Sequence, residues 1–217
     1  MYQFKIGDYF TWDTWQLSLS SYSIGEPIQK TNYVEIPYGN GSIDLSEAIT
    51  GKLQYGDRVI EATFDIIGNR SANQTKHQLI KSLIQGKKLN IKVPEDDSYY
   101  YVGRIAIQSL ENQNNVNRFV LNALCEPYKY KNDVTSHDLT MGLPGTLTET
   151  FVNDVMDTLP TFTVNAETQI VFGTYSVTVS AGSHQLSSFI FEQGDNEVAF
   201  TASNGTTINV SYQEGAL

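Results

Sequence analysis

Three histidines, one cysteine and two small clusters of acids are the residues in this chain whose types could do chemistry. His77, His137 and His184 are far apart in the sequence. None belongs to an HExxH helix or to a Cys/His ligand spacing, so no metal centre is expected. Cys125 has no partner for an intramolecular disulfide; closing an apolar-alternating run, it reads as a small packed hydrophobe. Two carboxylates are all a glycosidase needs, yet Glu95-Asp96-Asp97 follows Pro94 in a turn, where charges ordinarily solvate a loop. Glu192, Asp195 and Glu197 offer hard oxygens of the kind Ca²⁺ takes, but at a spacing that fits no EF-hand loop. No GxSxG, P-loop or helix-opening GxGxxG is present, and Gly39-Asn40-Gly41 is a turn. The expectation is a protein that is not an enzyme, with no cofactor.

Most of the elements that position these residues read as strands. In RVIEATFDI, residues 58–66, Ile60, Ala62, Phe64 and Ile66 share one face and Glu61, Thr63 and Asp65 the other, the period-2 pattern of a half-buried strand. Residues 99–110 and 116–126 predict a long hairpin with an Asn-rich turn at 112–115. One helix lies between, with Ser71 as N-cap, Leu79, Ile80, Leu83 and Ile84 at helical spacing, and Gly86 as its stop. The first part of the chain, 1–133, is therefore expected to be an α+β domain: an antiparallel β-sandwich or twisted sheet with one covering helix. EPYKYKND, 126–133, reads as a linker, and SHDLTMGLPGTLTET as irregular. From Leu159 onward TFTV, IVF, TYSVTV, SFIF, NEVAFT and TTINVSY predict short strands, so 134–217 is expected to be a small β-sandwich or jelly roll. The fold class is mainly β.

Charge divides the chain at the same place. Residues 1–133 carry all 14 Lys and Arg and 134–217 carry none, so nearly the whole formal net charge of −10 falls in the second part. Such a chain offers phosphates no clustered counter-charge, and stable nucleic-acid binding is not expected. No apolar run approaches a membrane span, and MYQFKIGDYF lacks the basic-then-apolar pattern of a signal peptide. The expected place of synthesis is a cytoplasm.

What remains is a hairpin and an excess of aromatics. Asn40-Gly41, within Ile36, Pro37, Tyr38, Gly39, Asn40, Gly41, Ser42, Ile43, Asp44 and Leu45, is a strong signal for a two-residue type I′ turn. These ten residues are the candidate subunit interface. Trp12 and Trp15 are candidate anchors on a partner surface, since Trp and Tyr give large contact area at low entropy cost; the alternative is that both cover the sheet. Phe172, Tyr175 and Tyr212 are the candidate contact aromatics of the second domain, and the ones a carbohydrate-binding module would use. A hydrolase component would instead need a converging acid pair.

The run YVEIPYGNGSIDLSEAITGKLQYGDRVIEATFDIIG, followed by YYYVGRIAI and ALCEPYKY, resembles the distal tail protein (Dit) family of long-tailed, siphovirus-type phages and prophages of Gram-positive bacteria. The matching pieces fall on Tyr33–Pro37, Gly39–Leu45, Gly51–Arg58, a helix at 73–85, Tyr100–Arg104 and Pro127–Tyr130. FEQGDNEVAF and GTTINVSYQEGAL are similar to the family's galectin-like C-terminal sandwich. A galectin fold does not carry galectin activity, and residues 134–217 lack the Trp and Arg on which sugar binding in that fold relies. The resemblance implies a virion structural protein of the tail tip or baseplate. It implies a homo-hexameric ring with a central channel that DNA passes through, at the distal end of the tail. The implied partners are further copies of itself, the tail tube protein, a tail-associated protein and a receptor-binding or fibre protein; no membrane is involved.

Overall fold

Ile60, Ala62, Phe64 and Ile66 are all fully buried, so the alternation read at 58–66 is that of a strand with one face on a core. The computed structural model describes residues 2–113 and 116–217, in two units, Met1–Lys129 and Tyr130–Leu217. In chain order the first runs β1 (Lys5–Ile6), β2 (Tyr9–Phe10), β3 (Ser18–Ile24), β4 (Gln29–Lys30), β5 (Tyr33–Glu35), β6 (Ser42–Asp44), β7 (Gln54–Tyr55), β8 (Arg58–Ile67), α1 (Arg70–Ile84), β9 (Lys88–Lys92), β10 (Tyr99–Ile107), β11 (Glu111–Gln113) and β12 (Val116–Cys125). Its main sheet is antiparallel, in the order β2-β1-β9-β10-β12-β8-β3. The turn expected at 112–115 falls in part, at 114–115, outside the described residues.

Helix α1 closes one face of this sheet, with corrections to the predicted stripe and cap. The buried positions are Asn73, His77, Ile80 and Ile84; Leu79 points to solvent. The N-cap is Asn69, whose side-chain oxygen accepts from the Ala72 N–H at 2.8 Å, not Ser71. Asn69 is extended and within reach of that donor, while Ser71 is already inside the first turn. Two of the buried helix residues are polar and each is satisfied. Asn73 donates to Asn117 Oδ1 at 2.6 Å and to the carbonyls of Ile66 and Gly68. His77 Nε2 donates to the Gln108 carbonyl at 3.0 Å, and its ring meets Phe119 edge-on at 5.1 Å.

Burial holds the His77 pKa below its ordinary 6.5, with nearby Lys81 acting in the same direction against the raising effect of the Gln108 carbonyl. A depressed folded-state pKa means that the unfolded chain binds the proton more readily. Stability from neutral His77 is therefore fully present above 6.5 and is lost as pH falls through the lower folded value. Urea midpoints of the first unit should drop between neutral and mildly acidic pH, and His77→Gln should flatten that slope. An unchanged slope would remove His77 from the account.

The sheet's inner face is packed tightly where β10 meets β12. Gly103 lies opposite Cys125, and a Cβ at Gly103 would land on Cys125 Sγ, with Leu124 O at 3.1 Å. Gly103→Ala should cost about 1–3 kcal/mol by overpacking, read as a fall in denaturation midpoint. Adding Cys125→Ala should return part of it, because the two changes share one space. Cys125 is the packed hydrophobe expected, its thiol pKa pushed up to about 12 by burial. Asp96, within the cluster weighed for acid chemistry, is engaged by Lys129 at 3.0 Å.

The unit boundary falls inside β13 (Lys129–Lys131), a strand within the stretch read as a linker. Lys131 therefore goes with the second unit, which holds one cation instead of none. Its strands are β14 (Thr135–Thr140), β15 (Gly145–Asn153), β16 (Thr161–Val164), β17 (Thr168–Phe172), β18 (Tyr175–Val179), β19 (Gly182–Gln185), β20 (Gly194–Ala202), β21 (Thr207–Tyr212) and β22 (Gly215–Ala216). The first eight, β14 to β21, form two four-stranded antiparallel sheets, β14-β21-β16-β19 and β15-β20-β17-β18, with a core of Phe151, Phe162, Phe189, Phe191 and Phe200. The stretch read as irregular supplies β14 and β15. Conversely SFIF is no strand; Phe191 makes an isolated bridge to Thr158. Lys131 pairs with buried Glu214 at 2.7 Å. Burial alone would raise the Glu214 pKa, but hydrogen bonds from Lys131 and Thr135 bring it below its ordinary value.

Candidate assembly interface

Between β3 and β8 the chain builds an arm that contributes nothing to the core of its own unit. The arm begins with β4 paired to β7, Gln29 opposite Tyr55 and Lys30 opposite Gln54. Beyond it β5 pairs with β6, with Tyr33, Val34 and Glu35 opposite Asp44, Ile43 and Ser42. Local polar contacts close the hairpin: Leu45 N–H donates to the Asn32 carbonyl at 2.8 Å, Asn32 N–H to Ser46 Oγ at 2.9 Å, and Ser46 N–H to Asp44 Oδ1 at 2.9 Å. The Ser46 bonds hold the Asp44 carboxyl below its ordinary pKa.

The hairpin forms at the expected place but not with the expected turn. Residues 36–41 form a six-residue connection, because Pro37 has no N–H to give a ladder and confines Ile36 to extended backbone. A tight turn spans Ile36 to Gly39, its N–H donating to the Ile36 carbonyl at 3.0 Å, with Tyr38 at φ 60. Proline at the second position and positive φ at the third are the marks of a type II turn. Asn40-Gly41 then returns the chain into β6, Gly41 taking φ 80, where glycine carries no steric cost.

Every residue from Glu35 to Leu45 is exposed. Ile36, Tyr38, Ile43 and Leu45 lie open to solvent, and so do Ile28, Tyr33, Val34 and Ile49, which lie outside the ten candidate residues. A hairpin of three residues a strand is marginal in water by itself, and clustered apolar side chains on a chain otherwise able to bury them mark a contact surface. The Val34/Ile36 and Ile43/Leu45 alternation was the signal that extends the exposed apolar surface beyond the ten candidates. Between Tyr33 and Glu47 the charges are Glu35, Asp44 and Glu47, with no Lys or Arg.

The same unit also presents an open sheet face. On the side away from α1, Val59 and Leu124 are exposed, and with Val102 they floor a groove of about 740 Å³ edged by Glu61, Lys88, Arg104 and Glu126. At the sheet's edge Lys5 stands directly opposite Lys92, a like-charge pair that weakens the ladder on its own.

The aromatic candidates sort differently. Trp15 is core, 5% exposed and stacked on Tyr9 at 5.1 Å, so it is not an anchor. The chain from Gly7 to Leu17 folds back on itself through Thr11, and this turns Trp15 inward; Trp12 stays half-buried. Tyr212 is 2% exposed and donates to the Val152 carbonyl at 2.7 Å, its pKa pushed up to about 12 by burial. Phe172 packs on Phe189 and Phe191. Tyr175 alone of the second-domain set is open to solvent. The histidines do not converge: His137 stacks on Tyr212, and His184 Nε2 bonds the Ser180 carbonyl at 2.8 Å. Among the described residues no group of three His, Cys, Asp or Glu is placed to hold a metal, and no described helix is long and apolar enough to cross a membrane.

No protein-family model and no curated protein matches the sequence. Among solved structures, the crystal structure of the Dit protein (gp 19.1) of SPP1, described as a paradigm of the hub adsorption apparatus in phages infecting Gram-positive bacteria, is similar over its whole length. The match covers 100% of both chains with a TM-score of 0.72 at 13% identity. From end to end, this chain has the Dit fold.

Proposed function

We propose that this protein is the structural hub of a phage tail tip, a homo-hexameric ring that joins the tail tube to the adsorption apparatus. The observation that carries the reading is the exposed apolar arm on a chain whose fold is that of the SPP1 hub protein throughout. Such an arm is one half of a head-to-tail contact. The open sheet face, with its apolar floor of Val59, Val102 and Leu124 and the Lys5/Lys92 pair beside it, is the other half. The hairpin's charges are all acidic, opposite in sign to that lysine pair, and complementary charge fixes register in such contacts. A heterologous interface of this kind closes into a ring when its rotation is right and otherwise grows filaments.

The first unit, which supplies both halves of the ring contact, carries 13 Lys and Arg against 14 Asp and Glu, so it has no net positive charge to hold DNA. DNA passes without sticking where phosphates meet no basic cluster. The second unit serves as the mount for a receptor-binding or fibre protein, and its excess of acids favours a basic partner surface. The carbohydrate-module reading loses Phe172 and Tyr212, which serve the core, and keeps only Tyr175.

The test is native mass across a concentration series, by light scattering behind a sizing column, alone and with the tail tube protein. A species six times 24.2 kDa in either condition is the expected result. A monomer in both would overturn the ring.

A further inference from the structure

The sequence contains two Asn-Gly pairs, Asn40-Gly41 and Asn204-Gly205, and the structure treats them differently. Asparagine followed by glycine is the dipeptide most open to spontaneous deamidation. The next residue's backbone nitrogen attacks the side-chain carbonyl carbon, a C–N bond forms, and the side-chain amide leaves as ammonia. Water then opens the cyclic imide at one carbonyl or the other, giving aspartate or isoaspartate. No reagent but water is consumed. The attacking nitrogen must lose its proton and swing toward the side chain, so a hydrogen bond that holds it in place slows the step.

Gly205 N–H is held in this way. It donates to the Met141 carbonyl at 2.8 Å, in a turn further tied by Thr206 N–H to the Ser203 carbonyl at 3.2 Å and by the Ser203 and Thr206 hydroxyls at 3.1 Å. Both pairs are exposed, and outside the neighbouring residues no atom lies within 4 Å of where a Cβ would sit on Gly41 or on Gly205, so the difference is in hydrogen bonding alone. Among the described residues no hydrogen bond holds the Gly41 N–H or the Asn40 side chain.

We infer that Asn40 is a site of spontaneous deamidation in the unassembled chain, and that Asn204 is protected. The product adds a carboxylate to a hairpin that already holds Glu35, Asp44 and Glu47 without a Lys or Arg. Isoaspartate also lengthens the backbone of the turn by one methylene. A second consequence rests on the hub reading: a hairpin seated on a neighbouring copy cannot swing. Assembled chains then keep Asn40, and conversion marks those that failed to assemble.

The experiment ages the purified full-length chain at mildly alkaline pH and maps it by mass spectrometry, with trypsin for Asn40 and with chymotrypsin for Asn204, which lies beyond the last Lys or Arg. The peptide 31–52 isolates Asn32 and Asn40, and a synthetic copy of it gives the unrestrained rate. The expected result is conversion at Asn40 close to the synthetic peptide's rate, with Asn204 slower by roughly tenfold, the effect of one backbone hydrogen bond on a rate. Asn40→Gln should abolish the conversion without altering the fold. An intact Asn40 after the synthetic peptide has converted, or Asn204 converting as fast, would overturn the assignment. Protection is read separately, in fractions of hexameric mass. Conversion at Asn40 there as fast as in monomer would remove the hairpin from the ring contact and leave the chemistry standing.

Discussion

A chain carrying Ile36→Lys, Tyr38→Ser and Ile43→Lys is expected to remain monomeric under the conditions in which the unmodified chain assembles, with its thermal midpoint unchanged. All three side chains are exposed in the single chain, so they contribute little to its folding, and surface substitutions of this kind stay within about 0.5 kcal/mol. In a contact the balance reverses. Truncating a central apolar anchor costs about 2 kcal/mol or more, which is roughly a thirtyfold loss of affinity for each anchor. A monomer with native stability assigns the hairpin to the interface. Full assembly by this triple variant would exclude it.

Phe191→Ala should produce the largest loss of stability in the chain. Phe191 is fully buried and its ring meets Phe151 at 5.4 Å, Phe172 at 5.7 Å and Tyr212 at 5.2 Å. Its carbonyl accepts from Asn153 Nδ2 at 3.0 Å and its backbone exchanges two bonds with Thr158. Removing a buried phenylalanine side chain costs about 3–5 kcal/mol. All of these contacts lie in the second unit, so calorimetry should show that unit's transition lowered and the other left in place. Phe191→Leu should recover much of the loss, because it restores most of the volume. A cost under about 1 kcal/mol would mean that residues 187–193 do not seal this core.

Phe191 also shows where a local pattern misleads. SFIF has the composition of a strand, yet Phe189 and Phe191 reach the core from a segment with one isolated bridge; aromatics fill a core from loops as well as from strands. The converse holds for 135–153. There Leu139, Leu147 and Phe151 alternate with Thr, Ser and Asp, so the hydrophobic signal is weak. The β-branched threonines, whose preference is for strands, were the better guide. Where both signals agree, as at 58–66, the strand was legible to within one residue of its end at Ile67.

The hairpin proposed as an interface was legible at its tip and not in the extent of its exposed apolar surface. Asn40-Gly41 announced a reversal, but Pro37 lengthened the connection and put the positive φ at Tyr38. Exposure of Ile28, Val34 and Ile49 is a tertiary fact: nothing local distinguishes an apolar residue that will find its own core from one left for another chain. The same limit applies to Trp15 and Tyr212, anchors by type and core by placement.

The placement of Lys131 has a practical consequence. It is the last Lys or Arg in the chain, so trypsin has no cleavage site in the remaining 86 residues, and its side chain is engaged by Glu214. A protease that needs a basic residue can enter the second sandwich only at its margin, and amine-directed labels and cross-linkers will report almost entirely on the first unit. Once the chain is denatured and Lys131 is released from Glu214, digestion should therefore give residues 132–217 as one intact acidic fragment.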